Sequence, residues 1–134
     1  MKVNELIASL TSVSTNDACD VPVQVFDFTD IFQITEIELC RHYFNPSTIR
    51  LVTSSQTRKI TAKELVSTLE IGRKLCGLDT LEIEVLLDDG TQYTLGGVEF
   101  DRRGRTYAIT LGDKTSDQML DKYTFFSFNE WRIL

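Results

Sequence analysis

Residues 81–111 read LEIEVLLDDGTQYTLGGVEFDRRGRTYAITL, and this stretch decides what kind of fold the chain can adopt. Leu81, Ile83, Val85 and Leu87 alternate with Glu82, Glu84 and their neighbours, the period-two pattern of a strand with one buried face. Asp88-Asp89-Gly90-Thr91 is a hairpin turn, because Asp-Gly supplies the positive φ angles that tight hairpins need. The return strand over 92–100 contains Gly96-Gly97, where a bulge or sharp bend is expected. Asp101-Arg102-Arg103-Gly104-Arg105 then turns the chain into a third strand over 106–111. The stretch is a three-stranded meander.

Upstream of it lies a helix, and the pair occurs twice. Ala62-Lys63-Glu64-Leu65-Val66-Ser67-Thr68-Leu69 matches Val3-Asn4-Glu5-Leu6-Ile7-Ala8-Ser9-Leu10 in its glutamate, both leucines and its apolar positions. Val3, Leu6, Ile7, Leu10 and Val13 form one helical stripe, and Ala62, Leu65, Val66 and Leu69 form its counterpart. Thr61 and Glu64 make a capping box, whereas Lys2 at the matching site cannot cap that way. The first helix is therefore expected to fray or to start later, at Asn4. Val21, Val23 and Val25, then 32–40, then 48–53 give the first copy its own strands.

These readings predict one α+β domain over 1–134, built of two repeated helix-plus-three-stranded-meander units. The first unit spans 1–53, a linker 54–60, the second unit 61–112 and an aromatic C-terminal tail 113–134. Within the tail, 114–122 is expected to form a short helix. Residues 123–131 are rich in aromatics, among them Phe126, Phe128 and Trp131.

Composition bounds the chemistry. The chain carries 20 acidic against 14 basic residues, a net charge of −6. That balance disfavours a general nucleic-acid binder, whose affinity comes from neutralising phosphates. No apolar run approaches the ~20 residues that span a bilayer, and the N-terminus lacks a signal-peptide pattern. Cys19, Cys40 and Cys76 form no CxxC pair and the chain has one histidine, His42, so free thiols in a reducing cytoplasm are expected and neither zinc nor another cofactor is.

Catalytic constellations are equally scarce. His42 stands at a strand end without a G-x-S-x-G or comparable nucleophile motif, and reads as a surface-loop histidine. The carboxylates Asp27/Asp30, Glu36/Glu38 and Glu82/Glu84 read as solvated strand faces, and Asp88/Asp89 as turn chemistry. Gly96-Gly97 lacks the spacing of a dinucleotide fingerprint. The chain therefore reads as non-enzymatic, with two candidate contacts. Arg102, Arg103 and Arg105 form a basic turn able to grip carboxylates or phosphates. Phe126, Phe128 and Trp131 belong either to a last core strand or to an interface.

The opening Met1-Lys2-Val3-Asn4-Glu5-Leu6-Ile7-Ala8-Ser9-Leu10, with Asp20-Val21-Pro22-Val23-Gln24-Val25 and Ile34-Thr35-Glu36-Ile37-Glu38-Leu39, resembles a group of small phage and prophage proteins. Those proteins begin with a V-x-E-L-I-x-x-L helix followed by a meander. The resemblance covers the first half and implies a phage or mobile-element origin; it supplies no catalytic residues. Together these readings suggest an accessory protein that binds and inhibits a host protein, such as a CRISPR-type anti-phage defence component. A nucleotide-sequestering small-molecule binder and a self-associating assembly protein, as a homodimer for example, are the two alternatives.

Overall fold

The computed structural model describes residues 1–11, 21–28, 30–43, 46–55, 58–103, 105–115 and 119–128. Its elements are α1 (Val3–Thr11), β1 (Pro22–Asp27), β2 (Asp30–His42), β3 (Thr48–Ser54), β4 (Ile60–Thr61), α2 (Ala62–Cys76), β5 (Glu82–Leu86), β6 (Gln92–Asp101), β7 (Thr106–Thr115) and β8 (Met119–Ser127). One 3₁₀ turn, Leu78–Thr80, connects α2 to β5.

The strands join edge to edge in the order β4-β1-β7-β6-β5-β3-β2-β8, and β1 also pairs with β2. That last pairing closes β1, β7, β6, β5, β3 and β2 into a six-stranded barrel, with β4 and β8 as outriders. The expected α+β domain of two packed helix-plus-meander units is thereby overturned. The protein is mostly β, with two short α-helices among the described residues. Alternation along a strand shows that one face is buried, but not whether two sheets stack face to face or join at their edges. Here they join. Parallel seams β3–β5 and β7–β1 satisfy the edges that stacked sheets would have left open.

Both helices bury the stripes their spacing predicts. Val3, Leu6, Ile7 and Leu10 of α1, with Ala62, Leu65 and Leu69 of α2, enter one core with Val23, Val25, Ile37, Ile49, Leu51, Ile83, Val85 and Ile109 from the barrel. The capping box forms: Thr61 Oγ1 accepts from the Glu64 amide at 3.2 Å, and Glu64 Oε1 accepts from the Thr61 amide at 3.2 Å. The start of α1 is anchored rather than frayed. Glu5 Oε1 accepts from the Lys2 amide at 2.9 Å, and the amides of Val3 and Ile83 donate to the carbonyls of Leu81 and Met1. A tertiary bridge to β5 does what the missing cap could not.

The Asp88–Gly90 turn and the Gly96 bulge form where expected. A Cβ at Gly96 would stand 2.8 Å from the Leu111 carbonyl oxygen, so only glycine fits that crossing. The linker 54–60 ends in a strand, since Ile60 is buried and pairs with Val23. The helix expected over 114–122 is absent among the described residues: β7 runs to Thr115 and β8 begins at Met119, paired with β2. Pairing to the free edge of β2 satisfies the backbone more completely than a short exposed helix would. Val13, Cys19 and Trp131 lie outside the described residues.

Candidate functional site

Where β8 ends, it lies against α2, and the close approach is set by Gly72. A Cβ there would meet Leu78 Cδ1 at 2.7 Å and Phe125 Cζ at 2.9 Å, so the missing side chain lets Phe125 pack onto the helix. Beyond this crossing the two elements diverge into a groove of about 330 Å³, lined by Lys63, Glu64, Ser67, Thr68, Phe126 and Phe128. Phe126 and Phe128 meet edge to face, with ring centroids 5.0 Å apart at 64°. Phe128 is a core residue at 2% exposure, while Phe126 stays 37% exposed on the groove wall. Of the aromatic tail's described rings, Phe128 thus belongs to the core, while Phe126 is left partly exposed.

The rim of the groove is held by charge. Arg58 donates to Glu64 Oε2 at 2.8 Å and to the Phe128 carbonyl at 3.4 Å, tying the chain before α2 to the end of β8. The same Arg58 guanidinium holds the Glu64 carboxyl below its ordinary range. Lys63 is exposed beside it. Along the helix, Ile71 and Leu75 are exposed, Leu75 at 78%, and extend the apolar character past the groove.

A second surface was not singled out by sequence. β1 and β2 pair down to Asp27 opposite Asp30, leaving a two-residue loop that begins with Phe28. Phe28 has φ 54° and is 100% exposed. Tight hairpins of this kind need positive φ at the first loop position, which normally falls to Asn, Asp or Gly. A phenylalanine there gives up ~1–2 kcal/mol of backbone strain and leaves a whole aromatic ring in water. The signal in the sequence is an aromatic, Phe28, standing where turn chemistry asks for a small polar residue. Phe28 overhangs a cavity of about 300 Å³ lined also by Phe26, Tyr93 and Leu111.

The basic turn lies apart from both surfaces. Arg102, Arg103 and Arg105 are exposed at the β6–β7 connection, Arg105 with φ 49°, and the Arg103 amide donates to Asp101 Oδ1 at 3.0 Å. None of them lines the groove, so the structure does not bring the basic turn and the aromatic tail into one site.

Of the strand carboxylates read as solvated, Asp30 and Glu82 are exposed, but Glu38 and Glu84 are buried. Glu38 of β2 stands opposite Arg50 of β3, which stands beside Glu84 of β5. Their exposures are 4%, 3% and 5%. Arg50 donates through both Nε, at 2.9 Å, and an Nη, at 2.7 Å, to Glu38 Oε1, and Lys122 of β8 reaches Glu38 Oε2 at 3.5 Å. Beside this row Cys40 is buried, and desolvation, the largest influence on it, pushes its thiol up to about 11. That value leaves no thiolate for nucleophilic chemistry near neutral pH. His42 is no loop histidine either; its Nε2 lies 2.9 Å from Thr48 Oγ1 and joins the ends of β2 and β3.

Glu84, with Lys2, Thr48, Glu82, Thr94 and Thr115, lines a cavity of about 510 Å³ at the end of this row. Among the described residues no group of three or more His, Cys, Asp or Glu side chains is placed to hold a metal ion. No described helix is long and apolar enough to cross a membrane. Neither a protein-family model, nor a curated protein, nor a solved structure matches the chain.

Proposed function

We propose that this protein is a recognition module that works by binding another protein rather than by catalysis. The observation that carries the reading is Phe28, fully exposed at a hairpin tip in a conformation that disfavours it. Local stability argues for glycine or asparagine at that position. An aromatic held out there suits an anchor that becomes buried in a complex, the role aromatic residues play at the centres of interfaces. The groove between α2 and β8 supplies a second, concave contact of the same apolar character.

The target suggested by the resemblance to phage and prophage proteins is a host protein, with occlusion of its surface as the mode of inhibition. This is the narrower form of the same proposal.

A photoreactive benzoylphenylalanine placed at position 28 tests the reading in cells that make the full chain. A discrete adduct is expected from position 28 and none from the same residue placed at exposed Glu99. Labelling that is absent, or that is alike from both positions, would remove the recognition role. Phe28→Gly should raise the melting temperature by a few degrees, since it relieves the left-handed strain, and should abolish the adducted complex.

A further inference from the structure

The hairpin tip and the α2–β8 groove match one another in shape, polarity and charge. The tip presents one exposed ring, Phe28, between the facing carboxyl residues Asp27 and Asp30. The groove presents about 330 Å³ floored by Phe126 and Phe128, with exposed Lys63 on its rim and the one lining acid, Glu64, neutralised by its ion pair with Arg58. Within one chain the two do not meet, since Phe28 stands over the cavity formed with Phe26, Tyr93 and Leu111.

Resting on the reading of the protein as a recognition module, we propose that the groove takes the Phe28 tip of a second copy, so that chains associate head to tail. The ring of Phe28 enters between Phe126 and the Ser67–Thr68 side of α2, where edge-to-face contact with the aromatic floor is available. Asp27 and Asp30 then face Lys63, while Arg58 stays paired with Glu64, which favours this docking orientation over its reverse. The same two aspartates oppose docking on an anionic lipid surface. Because tip and groove are different surfaces, one contact leaves a tip and a groove free, to be closed reciprocally by the same partner or taken by a further chain.

Strand addition at the edge of β8 is the competing route to self-association, and the structure guards against it. The β2–β8 register shifts between Ile37 and Glu38 and again between Arg41 and His42, and Lys122 sits between the two irregularities. Bulges and lysines on an edge strand are the usual obstacles to edge-to-edge pairing.

The test uses two variants of the full chain. Phe28→Gly removes the tip and leaves the groove; Ser67→Trp fills the groove from the exposed face of α2 and leaves the tip. A finger-in-groove contact is smaller than the ~1,200 Å² of a standard interface, so sedimentation velocity is run from micromolar to about millimolar protein. The wild-type chain is expected to associate with concentration, as a reciprocal dimer or as longer chains, and each variant alone to stay monomeric. An equimolar mixture of the two variants should form dimers and nothing larger, since only one tip and one groove remain competent per pair. Charge reversal Lys63→Glu should weaken association by about tenfold, and Asp27→Lys with Asp30→Lys should restore it.

A wild-type chain that stays monomeric throughout overturns the proposal, as does association that survives both variants. The recognition reading then stands or falls separately. A position-28 adduct with a different protein keeps it, and no adduct at all removes it too.

Discussion

The barrel closes through two parallel seams, and their polar faces differ. In the β3–β5 seam Arg50 lies beside Glu84, with Glu38 opposite Arg50 on β2. In the β7–β1 seam the corresponding places are taken by Ala108 beside Gln24, with Glu99 opposite Ala108 on β6. The registers agree residue for residue, so backbone geometry does not account for the contrast. Burial does. β8 adds to β2 on the charged side and brings Lys122 to Glu38, which is buried, while Glu99 on the other side is exposed. Acid removed from water must be paired, and acid left in water need not be.

The largest expected effect breaks this pairing at its centre. Arg50→Met leaves Glu38 buried without the guanidinium that donates to it twice, next to buried Glu84, and should destabilise the fold by ~3–5 kcal/mol, read from urea unfolding. The triple change Glu38→Leu, Arg50→Met, Glu84→Leu should recover most of that loss. If it did not, the row would be held by something other than mutual compensation of charge.

Cys40 gives a pH-dependent view of the same seam. Its folded-state value, raised by burial to about 11 from 9.0, means the native state holds the thiol proton more tightly than the unfolded chain. The stabilisation is fully present below about pH 9 and is lost as pH rises toward about 11. Cys40→Ala should flatten the stability curve over that window in pH-jump unfolding. An unchanged slope would show that Cys40 is better hydrated than the buried row beside it.

Smaller effects sharpen the contrast from the helix and from the neutral seam. Thr61→Ala removes one half of the capping box and should cost ~1 kcal/mol. The depressed Glu64 carboxyl adds stability above the ordinary glutamate range that is lost as pH falls below it. Arg58→Leu should therefore weaken the acid dependence of unfolding. On β2, opposite Gln24 of the neutral seam, Gln33 is buried with its Oε1 unpaired among the described residues. Gln33→Leu should fall within ~1 kcal/mol of wild type or stabilise it, where a comparable change in the charged row is severe. A loss as large as that of Arg50→Met would erase the distinction between the seams.

What the sequence determined by itself is local. The α1 and α2 stripes, the Thr61–Glu64 cap and the Asp88–Gly90 turn all rest on interactions within a few residues. Periodicity and turn chemistry therefore expose them. Barrel closure, the strands β7 and β8 in place of the helix expected over 114–122, the anchoring of α1 by Leu81, and the burial of Glu38, Arg50 and Glu84 were decided only by the tertiary structure. So was the separation of the basic turn from the aromatic tail. Each depends on residues far apart in the chain meeting at a strand edge, and no period within one segment encodes which edge that will be. Phe28 lies between the two. Its place in the turn is written in the sequence, but its full exposure follows from where the closed barrel leaves the hairpin tip.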